Sequence, residues 1–283
     1  MTAVSSDAKR TSFEVDIKKL LEAGAHFGHQ TSRWHPKMAP YIHSKRGGSH
    51  VIDLTKTVEA LDSALNFLSD TAAAGKQILL VSTKRQAKDK IKEVALATNM
   101  PYVTERWLGG MLTNYNTISV RIKYLVDLEN RMASGELENR YSKLEVQHYG
   151  EEIEEMNHLY GGIKELHARP GAVFVVDMQN DEIAVKEARK LGVPVVGLTD
   201  TNVDPTIADY PIPCNDDATK TINLVLDYVQ QAIADGQTKV KKTATDEKPE
   251  AAGAKIAAAT KETDGKEQKT EKETVTAPVK GIG

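Results

Sequence analysis

Three short apolar runs confine this chain to one class of fold. They are Ile78-Leu79-Leu80-Val81, Val173-Phe174-Val175-Val176 and Val195-Val196-Gly197-Leu198, with no polar position inside any of them. A strand with one wet face alternates apolar and polar residues, whereas an unbroken apolar run has both faces covered. Segments of helical period lie between the runs. Residues 84–98 turn Ile91, Val94 and Ala95 inward, 181–191 read as a helix ended by Gly192, and 217–234 align Ile222, Val225, Leu226 and Val229. A further short strand is read at 100–104. This alternation predicts an α/β body with a parallel sheet between helices and right-handed crossovers.

Ahead of the alternation, Thr11 and Glu14 have capping-box spacing for a helix carrying Ile17, Leu20 and Leu21 and closed at Gly24. Residues 26–48 show no period and read as a long basic, partly aromatic loop. A short strand follows at 51–54. Residues 55–74 form a helix with Val58, Leu61, Leu65 and Leu68 on one face, stopped by Gly75.

A different object interrupts the alternation. Ile118, Ile122, Leu125, Glu129 and Met132 recur at spacings of four and three, as do Val146, Tyr149, Ile153, Met156 and Tyr160. Two such seams predict an antiparallel coiled-coil helical hairpin inserted at 113–160. Each arm holds only about two and a half heptads, so two amphipathic helices packed on the body are the competing reading. The body then comprises 1–112 and 161–236. From 237 to 283 Lys, Glu, Ala and Thr dominate and no aromatic occurs. Such a tail buries too little apolar surface to offset chain entropy and is expected to be disordered.

Charge is sorted along the chain. The net is −3, but residues 1–125 hold 18 Lys and Arg against 11 Asp and Glu, a net of +7. Residues 126–240 hold 10 against 21, a net of −11. Polyanion binding needs a local basic face, not a basic whole. The only cysteine, Cys214, precludes a disulfide within the chain and fits a reducing cytoplasm. No apolar run is long enough to span a bilayer, and residues 1–12 lack the apolar core of a secretory signal.

Three stretches have the chemistry of RNA contact. Arg33, Trp34, His35, Lys37, Lys45 and Arg46 join cations to a ring. Lys84 and Arg85 follow the first apolar strand, where a helix N-terminus favours phosphate. No Gly-rich phosphate loop accompanies them, so a nucleotide site is not expected. Arg106-Trp107-Leu108-Gly109-Gly110-Met111-Leu112-Thr113-Asn114 is a glycine turn in which Trp107 packs while Arg106 and Asn114 reach out. The histidines at 26, 29, 35, 43 and 50 lack metal-ligand spacing, and no metal is expected. Asp177, Asp200 and Asp204 follow strand ends, where a doubly wound enzyme binds ligands. No nucleophile with a partnered base accompanies them, and Asx turns and helix caps explain them better.

Taken in order, these residues resemble the bacterial ribosomal protein S2 family. The match runs through Leu20-Leu21-Glu22-Ala23-Gly24-Ala25-His26-Phe27-Gly28-His29-Gln30, Pro36-Lys37-Met38, Ile52-Asp53-Leu54 and Thr83-Lys84-Arg85-Gln86. It continues through Arg106 to Asn114, Phe174-Val175-Val176-Asp177, Ala184-Val185-Lys186-Glu187-Ala188, Asp200-Thr201-Asn202 and Asn215-Asp216-Asp217. The resemblance implies a flavodoxin-like three-layer α/β/α domain with an inserted hairpin. It also implies a structural protein of the small ribosomal subunit in the cytoplasm, with no cofactor, reaction or small-molecule substrate. Its partners would be small-subunit rRNA and neighbouring ribosomal proteins, including the multi-domain mRNA-binding one. The expected RNA contacts are Arg33, Trp34, Lys37, Lys45, Arg46, Lys84, Arg85, Arg106 and Asn114. The second hairpin arm departs from the family's more cationic pattern: Glu151, Glu152, Glu154 and Glu155 make it acidic, which points to a docked protein there.

Overall fold

In a computed structural model, residues 13–166 and 168–246 are described, the last six as helix backbone alone. They comprise one compact unit ending at Thr243 and the first three residues of a second, 244–283. The chain opens with α1 (Ile17–Ala23), strands β1 (Phe27–Gln30), β2 (Ile42–Arg46) and β3 (Ser49–Ile52), and the long α2 (Leu54–Ala73). Next come β4 (Ile78–Val81), α3 (Lys88–Thr98) and β5 (Tyr102–Val103). Helices α4 (Tyr115–Ala133), α5 (Glu136–Arg140) and α6 (Lys143–Tyr160) form the excursion. Strand β6 (Ala172–Val175), α7 (Glu182–Lys190), β7 (Val195–Thr199), β8 (Tyr210–Pro213) and α8 (Thr219–Asp246) complete the fold.

The central sheet has the order β5-β4-β6-β7-β8, every pair parallel. Numbered within the sheet this is 2-1-3-4-5, the flavodoxin-like order, with its switch point between β4 and β6. Neighbouring side chains on a strand leave opposite faces. Ile78 and Leu80 therefore join Leu20, Leu61, Leu65, Ile91, Ile222 and Val229 on one side. Leu79 and Val81 join Trp107, Met111, Ile118, Ala184 and Val185 on the other. The result is the expected α/β/α sandwich, each buried Leu or Val contributing about 1.5–3 kcal/mol.

Several boundaries differ from the expectation. Strand β8, Tyr-Pro-Ile-Pro, escapes a pattern search because its prolines cannot donate to a ladder; an edge strand tolerates them. Helix α3 begins at Lys88, so Lys84 and Arg85 sit in the β4–α3 turn and not in its first helical turn. Asp16, accepting from Lys18 N at 2.8 Å, caps α1; Thr11 lies outside the described residues. Helix α8 runs ten residues past the boundary read at 236, because Gln237 Nε2 donates to Thr98 O (2.6 Å) and Lys239 Nζ to Ser69 Oγ (3.2 Å). The rest of the tail, 247–283, lies outside the described residues.

The segment read as a loop supplies β1 and β2, which pair with β3, near the strand expected at 51–54, in a three-stranded antiparallel sheet of order β1-β3-β2, with two short 3-10 turns at Thr31–Arg33 and Pro36–Tyr41. It is clipped to the carboxyl edge of the central sheet. His29 N donates to Thr201 Oγ1 (2.9 Å), and His35 N donates to Thr201 O (2.7 Å). Gly28 permits the approach, for a Cβ there would lie 2.6 Å from Thr201 Cγ2.

In the excursion α4 and α6 pack against each other; Leu125 and Leu128 of α4 and Met156 of α6 are buried, while Ile118 and Ile122 join the second core face of the body. Leu128 is buried beside the seam position given to Glu129, and Met132 is half-buried. Glu129, the polar interruption, accepts from Asn157 Nδ2 (2.7 Å) and Lys164 Nζ (2.7 Å). Helix α5 fills the reversal with its buried Leu137.

Candidate nucleic-acid interface

The small sheet presents most of the predicted cations to solvent. Arg33 leaves the first 3-10 turn, and Lys45 and Arg46 end β2; all three are exposed. Trp34 is half-buried against His50, their rings 5.1 Å apart, and Lys45 Nζ stands 5.8 Å from the Trp34 ring centroid. A cation over an indole face is held by the ring quadrupole while its remaining donors stay free. Lys37 is partly engaged: its Nζ lies 2.7 Å from Asp204 Oδ2 and 3.0 Å from Thr206 Oγ1. Against the upward push of burial, hydrogen bonds from Lys37 and Thr206 hold the Asp204 carboxyl well below the usual range.

Arg85 and Arg106 are exposed in turns at the carboxyl side of β4 and after β5. Among the described residues, no ion pair engages Arg33, Arg46, Arg85 or Arg106. Asn114 is exposed at the head of α4, its Oδ1 accepting from Thr117 Oγ1 at 3.1 Å.

Lys84 behaves differently and corrects the reading made from sequence. Its ammonium points into the β4/β6 crevice, 3.2 Å from Asp177, 2.9 Å from Asp216 and 2.6 Å from Asp217, with its side chain only 13% exposed. Burial draws its pKa down, but these carboxylates override it and keep the ammonium charged. It is an internal counter-ion, not a donor on offer to phosphate. Asp216 is pushed up to about 7 by burial and by the charges of Asp177 and Asp200. Both shifts are upward because one ammonium is divided among three carboxylates: Lys84 is fully compensated and Asp216 is not. His29 completes the cluster, its Nδ1 2.9 Å from Asp200 Oδ2 and its Nε2 3.4 Å from Asp217 Oδ2. The hydrogen bond to Asp200 raises its pKa, against desolvation.

The strand-end aspartates are therefore structural. Asp200 and Asp177 face His29 and Lys84, and Asp204 caps a 3-10 turn. Asn215 Oδ1 accepts from Asp217 N and Ala218 N, closing the turn before α8. Among the described residues, His29, Asp216 and Asp217 are the group with metal-ligand types close together, within 4.8 Å. The Lys84 ammonium lies against two of them, Asp216 at 2.9 Å and Asp217 at 2.6 Å.

One residue that patterning missed organises the glycine turn. Glu187, on α7 and 8% exposed, accepts from Trp107 Nε1 (3.1 Å) and Gly110 N (2.7 Å) on one oxygen. The other accepts from Leu112 N, Thr113 N and Thr113 Oγ1, each at 3.1 Å. Burial opposes its ionisation, yet the N–H donors hold its carboxyl below the usual glutamate range. The available signal was a carboxylate at an inward position of α7, beside Ala184, Val185 and Ala188.

On the excursion, Glu151, Glu154 and Glu155 are exposed and Glu152 is half-buried, with Tyr124 OH donating to it at 3.4 Å. The family model for "Ribosomal protein S2" matches residues 20–236. The chain belongs to the ribosomal protein S2 family. The S2 family is structural and non-enzymatic, in keeping with aspartates engaged in ion pairs and caps. Among curated S2 relatives, the "Small ribosomal subunit protein uS2" of Roseiflexus sp. (strain RS-1) is 49% identical over 225 residues, 80% of this chain and 86% of that protein. That of Dehalococcoides mccartyi (strain CBDB1) is 47% identical over 228 residues, 81% and 93%. That of Syntrophobacter fumaroxidans is 45% identical over 229 residues, 81% and 83%. The S2 match includes the whole α4–α6 excursion and stops inside α8.

Proposed function

We propose that this chain is a structural constituent of the small ribosomal subunit, in the cytoplasmic ribosome, and that it binds small-subunit rRNA. The contacts are the backbone phosphates met by Arg33, Lys45, Arg46, Arg85 and Arg106, with Asn114 as a polar contact and Trp34 as a ring for stacking or shape fit. Lys37 contributes in part, and Lys84 does not. The observation that carries the reading is the division among the cations. The interior ammonium is fully neutralised by its own chain, whereas four exposed arginines are left unpaired by the described residues. Exposed guanidinium groups with no ion-pair partner are what a phosphate backbone requires. The test is incorporation of Arg→Gln variants at 33, 46, 85 and 106 into small subunits lacking this protein, across a salt series. Removing one arginine–phosphate pair should flatten the slope of log K against log salt by about 0.7–0.9. Wild-type slopes in all four variants would dismiss the reading.

The acidic arm supports a second contact, with protein. Glu151, Glu152, Glu154 and Glu155 dock a basic surface of a neighbouring ribosomal protein, the mRNA-binding one being the partner expected. Among the described residues no Lys or Arg ion-pairs with these four. Charge reversal at 154 and 155 should release that neighbour while leaving the salt slope of RNA binding unchanged. Retention of every neighbouring protein would remove this contact.

A further inference from the structure

We propose that Glu187 is the positioning residue for the Arg106–Asn114 contact: it shapes the turn that presents those side chains and does not itself touch RNA. This rests on the RNA-binding reading above. Three main-chain amides, of Gly110, Leu112 and Thr113, converge on one point, joined by the Trp107 indole and the Thr113 hydroxyl. Converging amides around a glycine at φ +89° form a concavity that binds anions. Here the anion is supplied by the chain's own helix α7. Both carboxylate oxygens are saturated, so the inner face of the turn has no donor left for a phosphate. Arg106 and Asn114, at either end of the stretch, are the groups left facing outward. Trp107, only 6% exposed, fixes one end of the turn to the second core face. Without the carboxylate, the amides of buried Leu112 and half-buried Gly110 would be left without partners, and that of Thr113 would lose its own. The turn would then reopen, and the two side chains would lose their common orientation. A glutamine at 187 keeps the shape but turns an NH2 group toward these donors.

The test compares Glu187→Gln, Arg106→Gln and the double variant, as full chains, for incorporation into small subunits across a salt series, with thermal melts alongside. Glu187→Gln is expected to flatten the salt slope as much as Arg106→Gln does, by about 0.7–0.9. The double variant should be no flatter than either. Lower stability alone reduces apparent affinity at every salt concentration and leaves the slope alone. A wild-type slope in Glu187→Gln beside a reduced one in Arg106→Gln overturns the proposal while sparing the RNA reading. A wild-type slope in Arg106→Gln overturns the RNA reading of this turn, and the proposal with it. If Glu187→Gln does not fold, the pair Trp107→Phe with Thr113→Val removes two of the five donors and leaves the carboxylate. It should flatten the slope in the same direction, and an unchanged slope there also overturns the proposal.

Discussion

At the scale of single residues, position in sequence and role in space part company most clearly at Lys84. Its place after β4 was legible, because an unbroken apolar run announces a central strand. Its partners were not, because Asp177 and Asp216–Asp217 reach the crevice from other strand ends far along the chain. Replacing Lys84 by Met should cost about 3 kcal/mol in chemical denaturation, the low end for a broken buried pair since Asp217 is more than half exposed. The variant that folds should keep the wild-type salt slope; a flattened slope would restore Lys84 to the RNA surface. His29 and Asp216 give the same cluster a pH dependence. A histidine raised above 6.5 contributes stability that is complete below that value and fades as pH rises through its folded pKa. Asp216, raised to about 7, also favours the folded state while protonated; its contribution is complete below the ordinary value of 3.8 and is lost as pH rises to about 7. The contribution of Asp216 to thermal stability should therefore decline from about pH 4 to 7 and that of His29 as pH rises above 6.5, so His29→Gln should flatten the decline above 6.5. A level wild-type profile over those ranges would contradict the geometry.

At the scale of elements, the helices and buried strands were readable because their periods are forced by burial on one or two faces. Of the small strands only β3 was partly legible, as the short run at 51–54; β1 and β2 were not, because they bury few side chains and their polar faces look like loop. The glutamate on the hairpin seam reads as a flaw in sequence, yet in space it has Asn157 and Lys164 opposite it. Helix α8 shows the reverse error: composition alone ended the body at 236, yet Gly236 is the point where α8 packs closely on α2. A Cβ there would collide with Ser69 O and lie 2.7 Å from Ala72 Cβ. In an exposed helix Gly→Ala would stabilise by about 1 kcal/mol. Here Gly236→Ala should destabilise by about 1–3 kcal/mol, because the helices must move apart. A raised melting temperature would show that the two helices are not in close contact.

At the scale of the whole molecule, the charge division seen in sequence, +7 before residue 126 and −11 from there to 240, survives folding only in part. A few carboxylates of the acidic half, Asp177, Glu187, Asp200 and Asp216, turn inward to hold Lys84, His29 and the glycine turn, while the basic residues of the small sheet stay outside. Net charge by segment thus pointed to a polyanion for a sound reason, but it could not tell counter-ions from surface.

The small sheet has a consequence of its own. Its strands bury little beyond His50 and Ile52, and its polar contacts with the body run from His29, His35 and Lys37 to residues 200–206 and Asp217. Such a module opens at far lower free energy than the five-stranded core. Amides of β2 should thus exchange with deuterium well ahead of those of β4 and β6 in the free protein, and become protected on entering the particle. A leaf that stiffens only against its target spends part of its binding energy on its own ordering, and gains in return the latitude to fit a surface still being assembled.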